Sequence, residues 1–229
     1  MGYFPFFIDI AGKSCAVIGG GSVALRKIEK LLPFGCDITV TAPDICREIR
    51  ALPVRCNHRE FVPEDLEGAF LAIAATSDHA LNSRIHALCS EQNILCNAVD
   101  DRENCSFLFP ALAQSGDLTI GISSGGTSPV IAKYLRHEAE TLLNDRMMEI
   151  AALMKAYRPV ILAYYGAEEE RREASDALLS LCLSGETLPD KDKILQLLEA
   201  VRTHEDPHRD TGQSACPGTD KAGTTGDTA

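Results

Sequence analysis

The sequence predicts an α/β protein built on an open parallel β-sheet with helices on both faces. The first 120 residues alternate between apolar runs of strand length and segments with helical spacing, which is the pattern of parallel strands joined by crossover helices. Phe70–Ala75 is almost purely apolar, as expected for a central strand covered on both faces. Ser14–Ile18 ends in three glycines directly before a helical segment, so we expect a tight turn between the first strand and its helix.

The elements of this sheet follow in order along the chain. Val23–Leu32 has apolar residues at helical spacing, and Gly35 is the expected stop. Ile38–Ala42 is the next strand, which Pro43-Asp44 breaks, and a short helix is expected over Ile45–Leu52. The remaining elements of this half are the strand Phe70–Ala75, a helix capped by Asp78 that ends near Gln92, and the strand Ile94–Val99.

The pattern changes after Asp100. Two strands are expected over Phe107–Ala113 and Leu118–Ile122, joined by a turn at Ser115-Gly116-Asp117. Ser128-Pro129 is a strong helix start. The segments that follow are a helix from there to about Leu143, a mostly helical stretch from Asp145 to about Leu183 with an interruption near Pro159, and an amphipathic helix over Asp190–Arg202. From Thr203 the chain is polar and rich in Gly, Thr, Asp and Pro, so we expect disorder.

Composition narrows the class of protein. The formal net charge of −11 argues against nucleic acid as a partner. The sequence has no apolar run of the ~20 residues that a bilayer span requires, and the first residues lack the basic leader of a signal peptide. We therefore expect a cytoplasmic protein without a membrane partner. Nine cysteines occur without any C-x-x-C pair, which disfavours a structural zinc site and is consistent with reduced thiols.

The strongest motif is Gly19-Gly20-Gly21-Ser22-Val23-Ala24, which fits G-x-G-x-x-A between a strand and a helix. Gly19 permits the tight turn, Gly21 lets the backbone approach a pyrophosphate, and Ala24 lets the helix pack closely on the strand. The helix N-terminus offers N–H groups and partial positive charge to phosphates. The motif predicts dinucleotide binding, and a glycine turn without a ligand is the alternative.

The residue that selects between NAD and NADP is less clear. An acidic side chain is expected at the end of the second strand, where it binds the ribose hydroxyls. Thr41 and Ala42 occupy that strand end, and Asp44 follows slightly later. Arg47 is a candidate partner for a 2′-phosphate, although a solvated helix charge is the favoured interpretation. The residues by themselves leave the choice of nucleotide open.

Two further strand ends carry candidate functional residues. Asp100 and Asp101 follow the strand that ends at Val99, and ligands of open α/β sheets lie beyond the carboxyl ends of the strands. A carboxylate there serves as a general base or caps a turn, and spacing favours neither role. Asn97 is expected to bind loop backbone. Thr76 follows two alanines that leave room for a nicotinamide ring, and a helix cap is its alternative role.

A series of motifs occurs in an order that resembles one family. The series is Phe6-Phe7-Ile8-Asp9, Val17 to Lys27 with the glycine loop, Ala74-Ala75-Thr76 with Asn82, Asn97-Ala98-Val99-Asp100-Asp101, and Ser123-Ser124-Gly125-Gly126-Thr127-Ser128-Pro129. It resembles the precorrin-2 dehydrogenase / sirohydrochlorin ferrochelatase family, whose module also forms the N-terminal part of the siroheme synthases. The resemblance is close over residues 3–143 and loose beyond them.

The resemblance implies an activity and a set of residues. The family oxidises precorrin-2 to sirohydrochlorin with NAD, and many members then insert ferrous iron to give siroheme. Its key aspartate corresponds to Asp100, which assists proton loss in the oxidation and helps metalation. Its nucleotide contacts fall on the glycine loop, including Ser22 and Val23, and on Pro43 and Asp44. The proline that often follows the two aspartates is Arg102 here.

The resemblance also implies a homodimer with three folded parts. They are a Rossmann-like NAD-binding domain at residues 1–112, a dimerisation segment at 113–144 and a small helical domain at 145–202, followed by the tail at 203–229. Within the dimerisation segment, the loop Ser124-Gly125-Gly126-Thr127-Ser128 before a helix is suited to binding substrate carboxylates through main-chain N–H groups. An ordinary turn and cap is the alternative. Arg102, Lys133 and Arg136 are candidate cations for the same carboxylates, or solvated surface charges.

Two other functions fit parts of the sequence. A non-catalytic NAD(H)-sensing regulator would carry the same glycine loop without binding a tetrapyrrole. A dehydrogenase for a different small substrate would require a catalytic His or Lys near the nicotinamide. His79 and His86 lie on a helix expected to cover the sheet, which disfavours that second alternative.

Overall fold

The computed structural model describes residues 4–99 and 101–204 of the chain, with side chains through Arg202. Contacts divide the chain into two compact units. The first contains the residues up to Ala111 together with Ser123–Ala132, and the second contains Leu112–Ile122 and the residues from Lys133 onward. The predicted domain boundaries and dimerisation segment remain predictions. The predicted disordered tail lies outside the described residues from position 205 on.

The first unit is built on a five-stranded sheet. Its strands are β1 (Ser14–Ile18), β2 (Asp37–Thr41), β3 (Arg55–Asn57), β4 (Leu71–Ala74) and β5 (Leu95–Ala98). They lie in the order β3-β2-β1-β4-β5 and all neighbours are parallel. Val17 of the central strand pairs with Val40 on one side and with Ile73 on the other. The strand order reverses between β1 and β4, which makes their carboxyl ends the expected ligand-binding position.

Three helices cover the two faces of this sheet, as the alternating pattern predicted. They are α1 (Ser22–Leu31), α2 (Arg47–Arg50) and α3 (His79–Glu91). Cys15 and Val17 face a core that contains the buried residues of α1 and α2. Ala16 and Ile18 face the opposite core, to which α3 contributes. Successive residues of β1 thus point to opposite faces and both are buried, which explains the continuous apolar run in the sequence.

Some boundaries in this unit differ from the prediction. β3 was not predicted, because it contains only three residues at the edge of the sheet and begins with Arg55. The strand predicted over Phe107–Ala113 begins only at Ala111. Phe107 and Phe109 pack instead against the core beside α1, so their apolar character reflects burial without strand pairing. Gly35 ends a short 3₁₀ turn after α1 with φ 71°, which confirms the predicted stop.

The second unit contains a hairpin and helices. β6 (Ala111–Ser115) and β7 (Leu118–Ile122) form the hairpin, with Gly116 at φ 51° in the predicted turn. The helices that follow along the chain are α4 (Pro129–Leu142), whose first turn belongs to the first unit, α5 (Asp145–Tyr164), α6 (Glu168–Ser184) and α7 (Lys191–His204). The last three share an apolar core that includes Ile150, Leu178 and Leu198. The predicted helical C-terminal part is confirmed.

Pro159 does not interrupt the helix in which it lies. The sequence predicts a break there, but α5 continues through it to Tyr164. Ile150 and Ile161, on either side of Pro159, are buried in the same core, and the Tyr165 hydroxyl donates to the Leu198 carbonyl. Tertiary packing therefore offsets the ~3 kcal/mol that a proline costs inside a helix. The actual break comes at Gly166-Ala167, before α6.

None of the helices in the described ranges combines the length and the hydropathy that a bilayer-spanning segment requires.

Leu178 tests the core of the helical unit. Its side chain is fully buried, whereas Leu183 on the same helix is 57% exposed. Leu178→Ala should lower the free energy of unfolding by about 2–5 kcal/mol, because it removes buried methyl groups and leaves a cavity. Leu183→Ala, the matched control, should change it by about 0.5 kcal/mol or less. Urea denaturation followed by circular dichroism measures both, and equal losses would contradict this assignment of the core.

Candidate functional site

The turn after β1 is held by main-chain contacts to two neighbouring loops. The Gly19 amide donates to the Thr41 carbonyl at 3.0 Å, and a Cβ on Gly19 would lie 2.3 Å from the Ala75 carbonyl oxygen. A Cβ on Gly20 would lie 2.1 Å from the Asp44 carbonyl oxygen. Since real Cβ atoms do not approach so closely, both positions require glycine for the protein's own backbone packing.

Gly21 differs from the two glycines before it. A Cβ added there would meet no atom within 4 Å, and its φ of −93° is accessible to any residue. It caps the N-terminus of α1 without a side-chain hydrogen bond. Ser22 beside it is exposed, and Ala24 is fully buried on the face of α1 that packs on the sheet. We call this open space beside the N–H groups of α1 the cradle; it leaves the main chain accessible to the pyrophosphate of a dinucleotide.

The loop after β2 contacts the glycine turn. The Cys46 amide donates to the Gly20 carbonyl at 2.9 Å, which keeps this loop next to the turn. Pro43 and Asp44 are exposed there. Thr41 is buried and accepts a hydrogen bond from the Asn57 side chain at 3.3 Å, so it belongs to the sheet. The structure therefore places the predicted Pro43 and Asp44 beside the cradle.

Thr76 lies after β4 on the other side of the turn. Its amide and hydroxyl both donate to the Asn82 side-chain oxygen, at 3.2 and 2.8 Å, and the Asn82 amide group donates back to the Thr76 carbonyl. Asn82 is 1% exposed. Asp78 caps α3 as predicted, accepting from the amides of Ala80 and Leu81. The Thr76 hydroxyl thus serves to order the loop that borders the cradle.

The predicted catalytic residue Asp100 lies outside the described residues. Its surroundings in the chain are ordered by hydrogen bonds. The Val99 amide donates to the Ala74 carbonyl at 2.9 Å. The Asp101 carboxylate accepts from the amide and the side chain of Asn104, and these hydrogen bonds hold the pKa of Asp101 below its usual value. Asp101 therefore caps a turn in its ionised form.

Two residues near this turn bind main-chain carbonyls of the loop between β5 and β6. The Asn97 side chain donates to the Phe107 carbonyl at 3.0 Å, as predicted for a residue that binds loop backbone. Cys105 also contacts the turn through its thiol, and sequence reasoning missed it. The available signal was a cysteine in a polar loop, four residues after Asp101.

The loop that contains Ser124, Gly125, Gly126, Thr127 and Ser128 turns sharply before α4. Gly125 and Gly126 have φ values of 60° and 84°, which favour glycine. Three serine hydroxyls bind amides of this region: Ser123 binds Gly125, Ser124 binds Ser128, and Ser128 binds Ile131. The Thr127 amide donates to the Ser124 carbonyl. These four amides are used within the protein, so they do not bind a carboxylate ligand.

The structure distinguishes the three candidate cations. The Arg102 guanidinium lies against Gly126, with Nη1 2.2 Å from the position of an added Cβ. Arg102 and Gly126 belong to the same compact unit, whereas Lys133 and Arg136 belong to the other. Arg136 pairs with Glu140 along its own helix. Arg102 is therefore the candidate cation that lies next to the loop 124–128, which we call the serine–glycine loop.

No group of three or more His, Cys, Asp or Glu residues in the described ranges could hold a metal ion.

Comparison with known proteins bears on the cofactor and the family. The family described as "Putative NAD(P)-binding" matches residues 6–111, which cover the sheet and the cradle. Siroheme synthase 2 of Yersinia pestis (strain Pestoides F) is 34% identical over 226 residues, which are 95% of this chain and 47% of that protein. Siroheme synthase of Neisseria meningitidis serogroup C (strain 053442) is 39% identical over 176 residues, which are 75% and 37% of the two chains.

The chain spans about half the length, or less, of these curated relatives. Among solved structures, SirC, a precorrin-2 dehydrogenase, superposes with a TM-score of 0.67 at 23% identity, covering 88% of this chain and all of that one. This is a likeness of fold, and it extends through the helical second unit. Together with the ordered motifs, the sequence matches show that the chain belongs to the precorrin-2 dehydrogenase / sirohydrochlorin ferrochelatase family, whose module is shared with the siroheme synthases.

Proposed function

We propose that this protein catalyses the NAD-dependent oxidation of precorrin-2 to sirohydrochlorin in siroheme biosynthesis. The observation that carries the proposal is the glycine turn at the N-terminus of α1, where Gly21 faces open space while the loops after β2 and β4 pack against Gly20 and Gly19. The names of its relatives, siroheme synthase and precorrin-2 dehydrogenase, support the choice of substrate. Ferrous iron is then the second substrate to test, because many family members insert it into sirohydrochlorin.

The residues of the cradle bind and orient the dinucleotide in this proposal. The α1 N-terminus and the Gly21 main chain hold the pyrophosphate, and Ser22 and Val23 border it. When bound, the nicotinamide supplies a hydride acceptor. Asp44 favours NAD over NADP, since a carboxylate accepts hydrogen bonds from ribose hydroxyls and repels a 2′-phosphate. The ordered Thr76 loop and the alanines before it leave room for the ring.

Asp100 takes the proton in the proposed reaction. The oxidation removes a hydride and releases a proton, so a carboxylate at the carboxyl end of the sheet is suited to act as general base. In metalation, pyrrole protons leave as iron enters, and the same carboxylate oxygen can receive them. The remaining task is positioning of the macrocycle against the nicotinamide, which falls to Arg102 and the serine–glycine loop.

We also propose that the protein works as a homodimer. The exposed apolar side chains of α4 support this assembly, since a contiguous exposed apolar surface favours association. They are Val130 at 75% exposure, Ile131, Tyr134, Leu135 and Leu142.

A coupled assay tests the proposed function. Purified protein is mixed anaerobically with precorrin-2 and NAD, NADH formation is followed by absorbance, and ferrous iron is then added. We expect stoichiometric NADH and the spectrum of sirohydrochlorin. Absence of turnover by folded protein would overturn the proposal, and NAD binding without tetrapyrrole binding would favour the regulatory alternative.

Gly21→Ala separates nucleotide binding from folding. The added methyl group enters only the cradle, so stability should change by less than about 1 kcal/mol, while NAD affinity should fall by about tenfold or more because the backbone can no longer approach the pyrophosphate. Gly166→Ala is the matched control, because its Cβ also meets open space and it lies in the second unit. Calorimetric titration measures both, and undiminished NAD affinity in Gly21→Ala would remove the cradle from the site.

Asp100→Asn tests the general base. We expect kcat to fall by about 10²–10⁴-fold, the usual contribution of a positioned base, while the Kd for NAD stays within twofold. Asp37→Asn serves as the control, since Asp37 is exposed at the amino end of β2, on the opposite edge of the sheet. Steady-state kinetics with precorrin-2 would contradict the assignment if Asp100→Asn kept a near-normal kcat.

Arg102→Ala tests the proposed carboxylate contact. Loss of a charge-assisted hydrogen bond, about 1.5–3 kcal/mol, should raise the KM for precorrin-2 by about tenfold or more and leave the Kd for NAD unchanged. Arg102→Lys should recover part of the loss. Arg84→Ala, at an exposed position on α3, is the control. An unchanged KM in Arg102→Ala would show that substrate binding does not depend on this guanidinium.

A further inference from the structure

The strands β2 and β3 end side by side at the carboxyl edge of the sheet. The Ala42 amide, directly after β2, donates to the Asn57 carbonyl at 3.2 Å, and the Arg59 amide donates to the same carbonyl at 3.1 Å. Pro43 and Asp44 follow Ala42. A single carbonyl thus joins the Arg59 main chain to the loop after β2, which the proposed function assigns to the ribose of the nucleotide.

A cation at this edge bears on the choice of nucleotide. NADP differs from NAD in carrying a phosphate on the 2′-oxygen of the adenosine ribose, and an arginine near the end of the second strand is the usual partner of that phosphate. A guanidinium binds phosphate most strongly through two parallel N–H groups. The Arg59 side chain is 47% exposed, so a ligand can reach it. Arg59 by itself would therefore favour NADP.

The carboxylate of Asp65 already binds this guanidinium. Arg59 Nη2 donates to Asp65 Oδ1 at 2.6 Å, and Nη1 donates to Oδ2 at 2.8 Å, which is the bidentate geometry that a phosphate would use. Nη1 also donates to the Glu60 carbonyl at 3.0 Å. The ion pair has no net charge, and its carboxylate would repel an incoming phosphate. The pair thus removes most of the attraction that an unpaired arginine would offer to a 2′-phosphate.

Asp65 is held in place by the main chain and by the core. Its side chain is 7% exposed and accepts from the Val62 amide at 3.0 Å. Leu66, the next residue of the same 3₁₀ turn, is fully buried in the core that includes α3. Arg59 holds the pKa of the Asp65 carboxyl below its usual value, and the Val62 amide and the Thr41 hydroxyl at the end of β2 add to this effect. Asp65 therefore stays ionised at neutral pH.

We propose that Asp65 is a specificity-determining residue of the nucleotide site: by pairing with Arg59 it withholds the guanidinium from a 2′-phosphate, so that the chain binds NAD in preference to NADP. This inference rests on the proposed function, which assigns a dinucleotide to the cradle. It gives the preference for NAD a second source besides Asp44. An unpaired guanidinium at this edge would offset the repulsion between Asp44 and a 2′-phosphate, and Asp65 prevents that.

Nucleotide affinities test the proposal. Calorimetric titration of the full chain gives one Kd for NAD and one for NADP. The wild-type chain should bind NADP about tenfold more weakly than NAD, or weaker still. Asp65→Asn frees the guanidinium and keeps one oxygen for the Val62 amide, so NADP affinity should rise about tenfold or more, the effect of a charge-assisted hydrogen bond. The Kd for NAD should stay within about threefold.

Glu64→Gln is the matched control for the loss of charge. It removes one negative charge at the neighbouring, exposed position and leaves the bidentate pair intact, so both Kd values should stay within about twofold. A rise in NADP affinity equal to that of Asp65→Asn would show that net charge, and not the release of Arg59, controls the preference, and this would overturn the proposal.

Arg59→Ala in two backgrounds identifies the cation. Combined with Asp65→Asn, it should abolish the gain in NADP affinity. In the otherwise wild-type chain it should leave NADP affinity within about threefold, because the guanidinium is already withheld. A gain that survives Arg59→Ala would come from another cation, such as the exposed Arg47, and would overturn the proposal.

Two results overturn the proposal even if Asp65→Asn does not fold. They are equal affinities of the wild-type chain for NAD and NADP, and a loss of NADP affinity of about tenfold on Arg59→Ala alone. Failure of the proposed function appears differently. A wild-type chain that binds neither nucleotide would disprove the nucleotide site and this proposal with it, whereas a chain that binds NAD without oxidising precorrin-2 would leave the comparison of the two nucleotides decisive.

Discussion

The turn between β1 and α1 lies so close to two other loops that only glycine fits at two of its positions. At Gly19 the neighbour is the Ala75 carbonyl, and at Gly20 it is the Asp44 carbonyl. Three loops at the carboxyl edge of the sheet are therefore held together through their main chains, with no side chain between them. The rest of the candidate site depends on this contact, since it sets the distances between the α1 N-terminus, the Asp44 loop and the Thr76 loop.

Most of this fold could be predicted from the sequence, because burial on both faces leaves continuous apolar runs. The glycine loop, the Asp78 cap and the Gly35 stop followed from backbone chemistry that is specific to those residue types. β3 could not be predicted, since an edge strand of three residues has no apolar pattern of its own. At Pro159 the sequence predicted a helix break that the structure does not have. Packing among α5, α6 and α7 keeps the helix continuous, and this packing leaves no signal in the local sequence.

The candidate site was predicted less completely than the fold. Spacing predicted the glycine turn and the acidic pair as site elements, but it could not show which amides of the serine–glycine loop are already bound by serine hydroxyls. Nor could it show that Arg102 lies on Gly126 while Lys133 and Arg136 belong to another unit. These facts bear on the proposed substrate, because a chain with net charge −11 would attract a polycarboxylate only through local cations.

The three consecutive glycines carry different evolutionary information. The fold requires Gly19 and Gly20, so we expect a homologue that no longer binds a nucleotide to keep both glycines. Gly21 borders only open space, and drift would be free to replace it once no phosphate had to fit there. Among divergent homologues, the third glycine therefore reports on retained cofactor use, whereas the first two report only on shared ancestry of the sheet.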